Sequence, residues 1–257
     1  NLSECRHSNH SDTRHEKSIQ RRVCLMFYFT LDGEPSFRHK ITVAYRPDFP
    51  APEPRYTDTQ VPGRDGALTE FDGTYSDIPV DVEMNYITNP QNWHAAWREV
   101  KRYLLKGGIR ELRFSDDLSF YYKCKKIVLG TNEREFRHTA AFTATFTLAP
   151  YEYLTDGKER YPYQVCAFNR YELCKPIYFI TGEGMCTLTV NGHEMTANVG
   201  QNLTIDTDLQ LAYRTDGTLQ NTEVTGNFDE LYLLPGENTI SVTDGFDLKI
   251  QPNWRCL

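Results

Sequence analysis

Closely spaced turn signals constrain this chain more than any other feature of its sequence. From residue 161 onward, short segments in which apolar and polar residues alternate are separated by three turn-forming pairs: Asn191-Gly192, Pro235-Gly236 and Asp244-Gly245. Alternation with a period of two is typical of half-buried strands, and such pairs favour tight reversals of the chain. Residues 161–257 are therefore predicted to form an antiparallel β-sandwich, for which about 100 residues is a common size.

Residues 26–160 show the same strand pattern with one helix added. Asp32-Gly33 is predicted to close a first hairpin. The following segment RPDFPAPEPRY, residues 46–56, is dense in proline and is predicted to run extended without pairing. Three later segments alternate with a period of two: LRFSDD, FYYKCKKIVLG and AFTATFTLAPY. These residues are predicted to form a β-sandwich-like domain on which the helix packs.

The helix is indicated by apolar residues at helical spacing between a start signal and a stop signal. Asn89 can cap it, Pro90 suits its first turn, and Gly107-Gly108 can end it with a left-handed residue. The apolar stripe consists of Trp93, Trp97, Val100 and Leu104. Because each indole buries a large apolar area, the stripe is predicted to pack in the core and to bind no ligand.

The first 25 residues differ from the rest, with five Lys or Arg, three acidic residues and three His and almost no apolar periodicity. They are predicted to be a poorly ordered extension, and a second interpretation is sequence upstream of a start at Met26. The predicted organisation is thus an extension over residues 1–25, a first domain over 26–160 and a second domain over 161–257.

Charge and composition exclude several classes of protein. With 28 Lys plus Arg against 35 Asp plus Glu, the formal charge is -7, which implies no basic face for a nucleic-acid backbone. No stretch approaches the ~18 to 20 apolar residues that cross a bilayer, so no membrane insertion is predicted. Free thiols are predicted for the seven cysteines, which include no C-x-x-C pair: Cys5, Cys24, Cys124, Cys166, Cys174, Cys186 and Cys256.

The glycines of the loop VPGRDG, residues 61–66, can be explained by turn geometry without a catalytic or ligand-binding role. Pro62-Gly63 fits a type II turn, Asp65-Gly66 a second reversal, and Asp72-Gly73 a third. The alternating residues that follow predict a half-buried strand: Ile78, Val80, Val82 and Met84. Because no phosphate-binding motif and no nucleophile with a neighbouring base is present, the loop is predicted to be structural or part of an interface.

Other candidates for chemistry are weaker still. His193-Glu194 begins like a zinc-protease motif, but the fifth position is Ala197 and the pair follows a hairpin turn, so a surface position is predicted for His193. Asp116-Asp117 could be imagined as paired carboxylates, but adjacent residues of an extended chain point in opposite directions and a turn is expected. The sequence therefore predicts no catalytic residue, no metal and no cofactor, and indicates a protein that binds rather than reacts.

Several motifs in order along the chain resemble one protein family. They are VPGRDGALTEFDGTYSDIPVDVEM, then a helix, then LRFSDDLSFYYKCKKI and AFTATFTLAPYEY, and finally LYLLPGENTISVTDGFDLKIQPNWRCL. From Met26 to Leu257 the chain resembles the distal tail (Dit) proteins, the baseplate hubs of long-tailed, non-contractile bacteriophages or related prophages. PGRDG with the following D-G-x-Y, FSDD before a Tyr-rich strand, and L-x-P-G-x-N-x-I carry the resemblance.

The resemblance implies a homohexameric ring at the distal end of the tail tube, with DNA only passing through its lumen. The C-terminal sandwich would be galectin-like or similar to a carbohydrate-binding module. Implied partners are the tail tube protein, a tail-tip or tail-associated protein, and receptor-binding or other peripheral tail proteins. The implied location is the virion tail tip, after assembly in the cytoplasm of the host bacterium. We expect an extended hairpin arm that reaches a neighbouring subunit, with interface residues Pro62, Gly63, Arg64, Asp65, Gly66, Asp72, Gly73 and Tyr75.

A second hypothesis is an adhesion module that recognises host-surface glycans through the C-terminal sandwich. It requires aromatic and polar groups that converge on one concave face, and Tyr213, Tyr232 and Trp254 are the candidates. A cell-wall-degrading enzyme is a third class, but it needs an acid and base pair that the sequence does not supply.

Overall fold

The computed structural model describes residues 27–134 and 137–257, which form twenty β-strands and one α-helix. The protein is mainly β, as predicted. The predictions for residues 1–25 and Met26 lie outside the described residues.

The strands are numbered in chain order, and the helix is α1. Their bounds are β1 Phe29–Leu31, β2 Glu34–Pro35, β3 Ile41–Val43, β4 Pro54–Gln60, β5 Ala67–Tyr75, β6 Ile78–Ile87, α1 Trp93–Leu104, β7 Arg110–Phe114, β8 Asp117–Leu129, β9 Glu133–Arg134, β10 Thr139–Leu154, β11 Tyr161–Pro162, β12 Phe168–Asn169, β13 Ile177–Val190, β14 His193–Asp206, β15 Leu211–Tyr213, β16 Val224–Thr225, β17 Gly236–Glu237, β18 Ile240–Val242, β19 Asp247–Gln251 and β20 Arg255–Cys256.

The described chain divides into two compact units. The first contains residues 27–50, 79–117 and 124–147, and the second contains residues 51–78, 118–123 and 148–257. The strands of the first unit follow the sheet order β2-β1-β7-β8-β10-β6-β3, and β9 pairs with the start of β10. In β6 every second side chain is buried, as its alternation predicts, from Ile78 to Tyr86.

Helix α1 forms where the sequence predicts it, and Trp93, Val100 and Leu104 are buried. Its ends differ from the prediction. The main-chain carbonyl of Asn89, and not its side chain, accepts a hydrogen bond from Asn92 in a 3₁₀ turn that precedes the helix. The helix ends at Leu104, before Gly107-Gly108, and the Leu105 N–H donates the last helical hydrogen bond, to the Lys101 carbonyl.

The Asp32-Gly33 hairpin is confirmed, with φ angles of 54° and 80°. The Asp32 carboxylate also accepts a hydrogen bond of 2.7 Å from the buried guanidinium of Arg110. Arg110 in turn donates to the Tyr103 carbonyl at the end of α1. The turn thus fixes strand β7 and the helix end through one buried charge that is paired with a carboxylate and hydrogen-bonded to the backbone.

The second unit is built around one long hairpin. Strands β13 and β14 pair without a break over 14 residues each and turn at Asn191-Gly192, as predicted. The main path of their sheet has the order β11-β19-β13-β14-β15. Its buried face belongs to a core that also includes residues of the 3₁₀ segments and of strands outside this path, such as Cys166 and Leu231.

Pro235-Gly236 turns the chain but closes no hairpin, contrary to the prediction. Leu233, before the turn, forms a bridge with Cys174, and β18, after it, pairs with β13, so the segments that flank the turn have different partners. The turn is held by the side chain of Asn238, which is only 4% exposed. Its Oδ1 accepts from the Leu234 N–H at 2.8 Å, and its Nδ2 donates to the Leu234 carbonyl at 2.8 Å.

Asp244-Gly245 was predicted to reverse the chain, and this is wrong. Strands β18 and β19 both run antiparallel to β13 along the same edge, so the chain keeps its direction across the pair. The two residues lie in a break between two pieces of one strand path. Next to the break, Phe246 packs against Gly182 of β13.

Candidate functional site

The candidate interface is a hairpin arm formed by β4 and β5. The two strands form a separate two-stranded sheet, in which all seven residues of β4 and seven of the nine residues of β5 are exposed. The prediction of an unpaired proline-rich segment is correct up to residue 53 and wrong from Pro54, where pairing begins. A lone two-stranded hairpin is at best marginally stable in water, and its outer edges leave N–H and C=O groups unpaired. The arm is therefore suited to pairing with, or packing on, another surface.

The tip of the arm is a defined turn. Val61 O accepts a hydrogen bond of 3.1 Å from the Arg64 N–H, and Gly63 has φ +80°. With Pro62 between them, these are the features of the predicted type II turn. Gly66, also at φ +80°, leads the chain into β5. The geometry explains both glycines without a ligand.

A bulge shapes the base of the arm. Tyr56 pairs with Phe71, whereas Pro54 pairs with Tyr75, so β5 contains two more residues than β4 between these pairs. The predicted third reversal at Asp72-Gly73 is wrong, because Gly73, at φ +72°, allows the strand to bulge and continue.

Two side-chain bonds tie the strands of the arm together. Thr57 donates to the Asp72 carboxylate at 2.6 Å, and Thr69 donates to the Asp58 carboxylate at 2.6 Å. Arg64 and Asp65 at the tip are exposed, and no described residue forms an ion pair with them. The charged tip is thus available to a partner, whereas the carboxylates of Asp58 and Asp72 are engaged within the arm.

Aromatic rings follow the arm from its base outward. The ring centroids of Tyr56 and Phe71 are 5.8 Å apart, those of Phe71 and Tyr75 are 5.7 Å apart, and those of Tyr75 and Tyr151 are 6.1 Å apart. The guanidinium of Arg255 lies 3.9 Å from the centre of the Tyr151 ring, and burial raises the pKa of Tyr151. Tyr56 is 57% exposed and Phe71 45% exposed. Large exposed rings that pack on each other are typical of protein contact surfaces.

The three candidate glycan contacts have different immediate neighbours in the structure. Tyr232 donates to the Asp229 carboxylate at 2.6 Å, and burial together with this hydrogen bond raises the pKa of Tyr232. Trp254 packs against the core of the second unit. Tyr213 lies in β15 opposite Thr204. Each ring therefore has different neighbours, and none of the described contacts joins two of the three.

Several residues that suggested chemistry take the structural roles expected of them. The FSDD motif forms the turn between β7 and β8, where Ser115 accepts a hydrogen bond of 3.0 Å from the Tyr28 N–H. His193 begins β14 at the surface, with its side chain 53% exposed and 3.5 Å from Glu230. Among the described residues no cluster of three or more His, Cys, Asp or Glu could hold a metal ion, and no helix could span a membrane.

The cysteines in the described residues carry free thiols, as predicted. Four are buried, and Cys256 is partly buried. Burial raises the pKa of Cys124 to about 11 and that of Cys166 to about 12. Such thiols are poor nucleophiles near neutral pH.

Comparison with solved structures finds the same fold in a bacteriophage protein. The match is the crystal structure of the SPP1 Dit (gp 19.1) protein, described as a paradigm of the hub of the adsorption apparatus in phages that infect Gram-positive bacteria. It covers 90% of this chain and 99% of that chain, with a TM-score of 0.62 and 11% sequence identity. No protein-family model matches the sequence, and no curated protein does. The resemblance inferred from the motifs is thus confirmed at the level of the fold.

Proposed function

We propose that this chain is a structural protein of a bacteriophage tail and forms a ring-shaped hub at the distal end of the tail tube. The observation that carries the proposal is the exposed arm on a chain that has the fold of a phage hub protein along 90% of its length. A ring of identical subunits needs two different surfaces per subunit that fit each other. The arm supplies one of them, because its open strand edges and exposed rings have no partner sheet among the described residues.

The proposed ring contains six subunits, and residues 26–160 build it. Residues 161–257 form the outer domain, on which receptor-binding or other peripheral tail proteins dock, while the ring contacts the tail tube protein and a tail-tip protein. The arm contacts the neighbouring subunit through its tip and its rings. The tip and base residues in this contact are Pro62, Gly63, Arg64, Asp65, Gly66, Asp72, Gly73 and Tyr75, to which the structure adds Tyr56 and Phe71 as exposed neighbours.

The test is the mass of the purified full chain by light scattering, over a range of protein and salt concentrations, with negative-stain images of the particles. A sixfold mass and ring-shaped particles are expected. The double variant Tyr56→Ser, Phe71→Ser should dissociate the ring, because truncating aromatic side chains at the centre of an interface costs on the order of 2 kcal/mol or more each. The matched control is Tyr45→Ser, Ile87→Ser, which removes two exposed apolar side chains outside the arm.

Different outcomes contradict different parts of the proposal. A wild-type chain that stays monomeric at every concentration, and also when mixed with its tail tube protein, would refute the ring. If the control variant dissociates the ring to the same extent, the aromatic residues of the arm are not specifically required for assembly. If the double variant Arg64→Ala, Asp65→Ala forms a ring of unchanged mass, the charged tip is not part of the interface. The variant Tyr56→Ser, Phe71→Ser tests the aromatic contact separately.

A further inference from the structure

The connection between α1 and β7, residues 105–109, is exposed and partly apolar. Leu105 is 50% exposed and Ile109 is 69% exposed, with Lys106 and two glycines between them. Large apolar side chains that stay in water at neighbouring positions are typical of a surface that a partner covers. A head-to-tail ring needs one such surface on each subunit to receive the arm of the next subunit.

A pocket of about 200 Å³ lies beside this connection, within the first unit. Its apolar lining comes from the end of α1 and from β8: Leu104, Leu105, Cys124 and Ile127. Three exposed lysines also line it: Lys106, Lys125 and Lys126. Arg110 lines it as well, but its charge is paired with Asp32. No acidic residue lines the pocket, so it combines apolar side chains with positive charge.

The exposed side of α1 extends the positive charge. Lys101 lies one turn before Leu105 on this side of the helix. No described residue forms an ion pair with Lys101 or Lys106. Residues 98–110 contain five basic residues and one acidic residue, Glu99, which is paired with a helical neighbour. This end of the helix therefore suits an anionic partner.

The arm has the complementary chemistry on one of its faces. In the register of the hairpin, Tyr56 lies opposite Phe71 and Asp58 lies opposite Thr69. Opposed residues share a face, and so do residues two positions apart in a strand, so both rings and the Asp58 carboxylate lie on the same side. The next pair of this face is uncharged, Gln60 with Ala67. The aromatic face of the arm thus presents two large rings and one negative charge.

We propose that the pocket at the α1–β7 connection of one subunit binds the aromatic face of the arm of the next subunit. Tyr56 and Phe71 pack on Leu105 and the apolar lining of the pocket, and the Asp58 carboxylate lies among the lysine side chains. This docking rests on the proposed ring, in which each subunit uses its arm once and its pocket once.

Charge distinguishes this pocket from a larger groove beside β6. The groove, of about 560 Å³, has three acidic residues and one basic residue in its lining: Asp48, Asp81, Glu83 and Arg46. The arm, Pro54–Tyr75, contains four acidic and two basic residues. Like charges across an interface disfavour association, so the acidic groove repels the arm and the lysine-lined pocket attracts it.

The test uses two variants of the full chain that disable opposite sides of the contact. Tyr56→Ser, Phe71→Ser removes the rings of the arm, and Leu105→Ser, Lys106→Glu changes the pocket. Each variant alone should need a protein concentration at least about tenfold higher than the wild type to assemble, measured by sedimentation velocity. In an equimolar mixture the intact pocket of the first variant meets the intact arm of the second. The mixture should therefore form more dimer than either variant alone at the same total concentration.

The matched control Ile87→Ser, Arg137→Glu makes the same kinds of change at exposed positions elsewhere in the first unit and should assemble like the wild type. A thermal melt of each variant checks that it is folded. The docking is overturned, and the ring retained, if the pocket variant assembles at the wild-type concentration or if the mixture associates no better than its components. If that variant keeps the ring and loses only the tail tube protein, the pocket receives that protein instead. A wild type that never assembles, with or without its tail tube protein, refutes the ring and the docking together.

Discussion

Gly182 offers a quantitative test of the packing in the second unit. A Cβ added at this position would lie 2.3 Å from Cδ1 and 2.8 Å from Cε1 of the Phe246 ring. Carbon atoms in favourable contact are about 3.5 to 4.0 Å apart, so the overlap exceeds 1 Å. Overpacking of this kind costs about 1 to 3 kcal/mol. We therefore expect Gly182→Ala to lower the free energy of unfolding by about 2 kcal/mol.

A double-mutant cycle isolates the clash. Phe246→Ala removes the ring, and in that background Gly182→Ala should cost about 1 kcal/mol less than in the wild type, because only effects on the backbone remain. Gly107→Ala, at a glycine with nothing within 4 Å of its added Cβ, is the control and should change the stability little. The assay is urea unfolding at one protein concentration, since assembly would add to the apparent stability. An equal cost of Gly182→Ala in both backgrounds would refute the packing argument.

Two further predictions follow from buried polar and ionisable groups. Asn238→Ala should destabilise the protein by about 2 kcal/mol, because it removes the buried side chain that hydrogen-bonds the backbone of the turn at Leu234. Asn227→Ala at the surface should cost far less, and equal urea midpoints for the two variants would contradict this. Burial raises the pKa of Cys166 to about 12 in the folded protein, so the unfolded thiol loses its proton first and stability should fall as the pH rises from about 9 toward 12. Cys166→Ala should make this fall shallower in urea titrations at pH 8 and 10, and an unchanged slope would show that the thiol does not contribute.

Local turn chemistry was predictable where the residues that form a turn are neighbours in the chain. Asp32-Gly33, Asn191-Gly192 and the Pro62-Gly63 turn all adopt the positive φ angles that their residue types favour. Asp72-Gly73 and Asp244-Gly245 look the same in sequence, yet the chain does not reverse at either. A glycine indicates only that an unusual φ is allowed. Whether the strand bulges or the chain reverses there depends on which strand the following residues pair with.

The arm was predictable in part. The turn residues of the loop and the alternation in β6 were clear signals in the sequence. Strand β4, from Pro54 to Gln60, was not predicted, because the segment 46–56 has four prolines in eleven residues, a composition that argues against a strand. An edge position tolerates proline, because one side of the strand needs no N–H donor. The stacking of Tyr56 and Phe71 could have been found only from the register of the hairpin, which the two-residue bulge displaces.

By itself the sequence determined the mainly β fold, the position of α1, the alternation of buried side chains in β6 and the absence of recognisable catalytic motifs. These follow from periodicity and from residue types, which act over a few neighbouring positions. Only the tertiary structure decided which strands pair, and so which side chains meet: it paired Tyr56 with Phe71 across the arm and brought Arg110 of β7 to the Asp32 carboxylate. Strand pairing is set by contacts between residues far apart in the chain, and a local pattern contains no information on which distant segment will supply the partner.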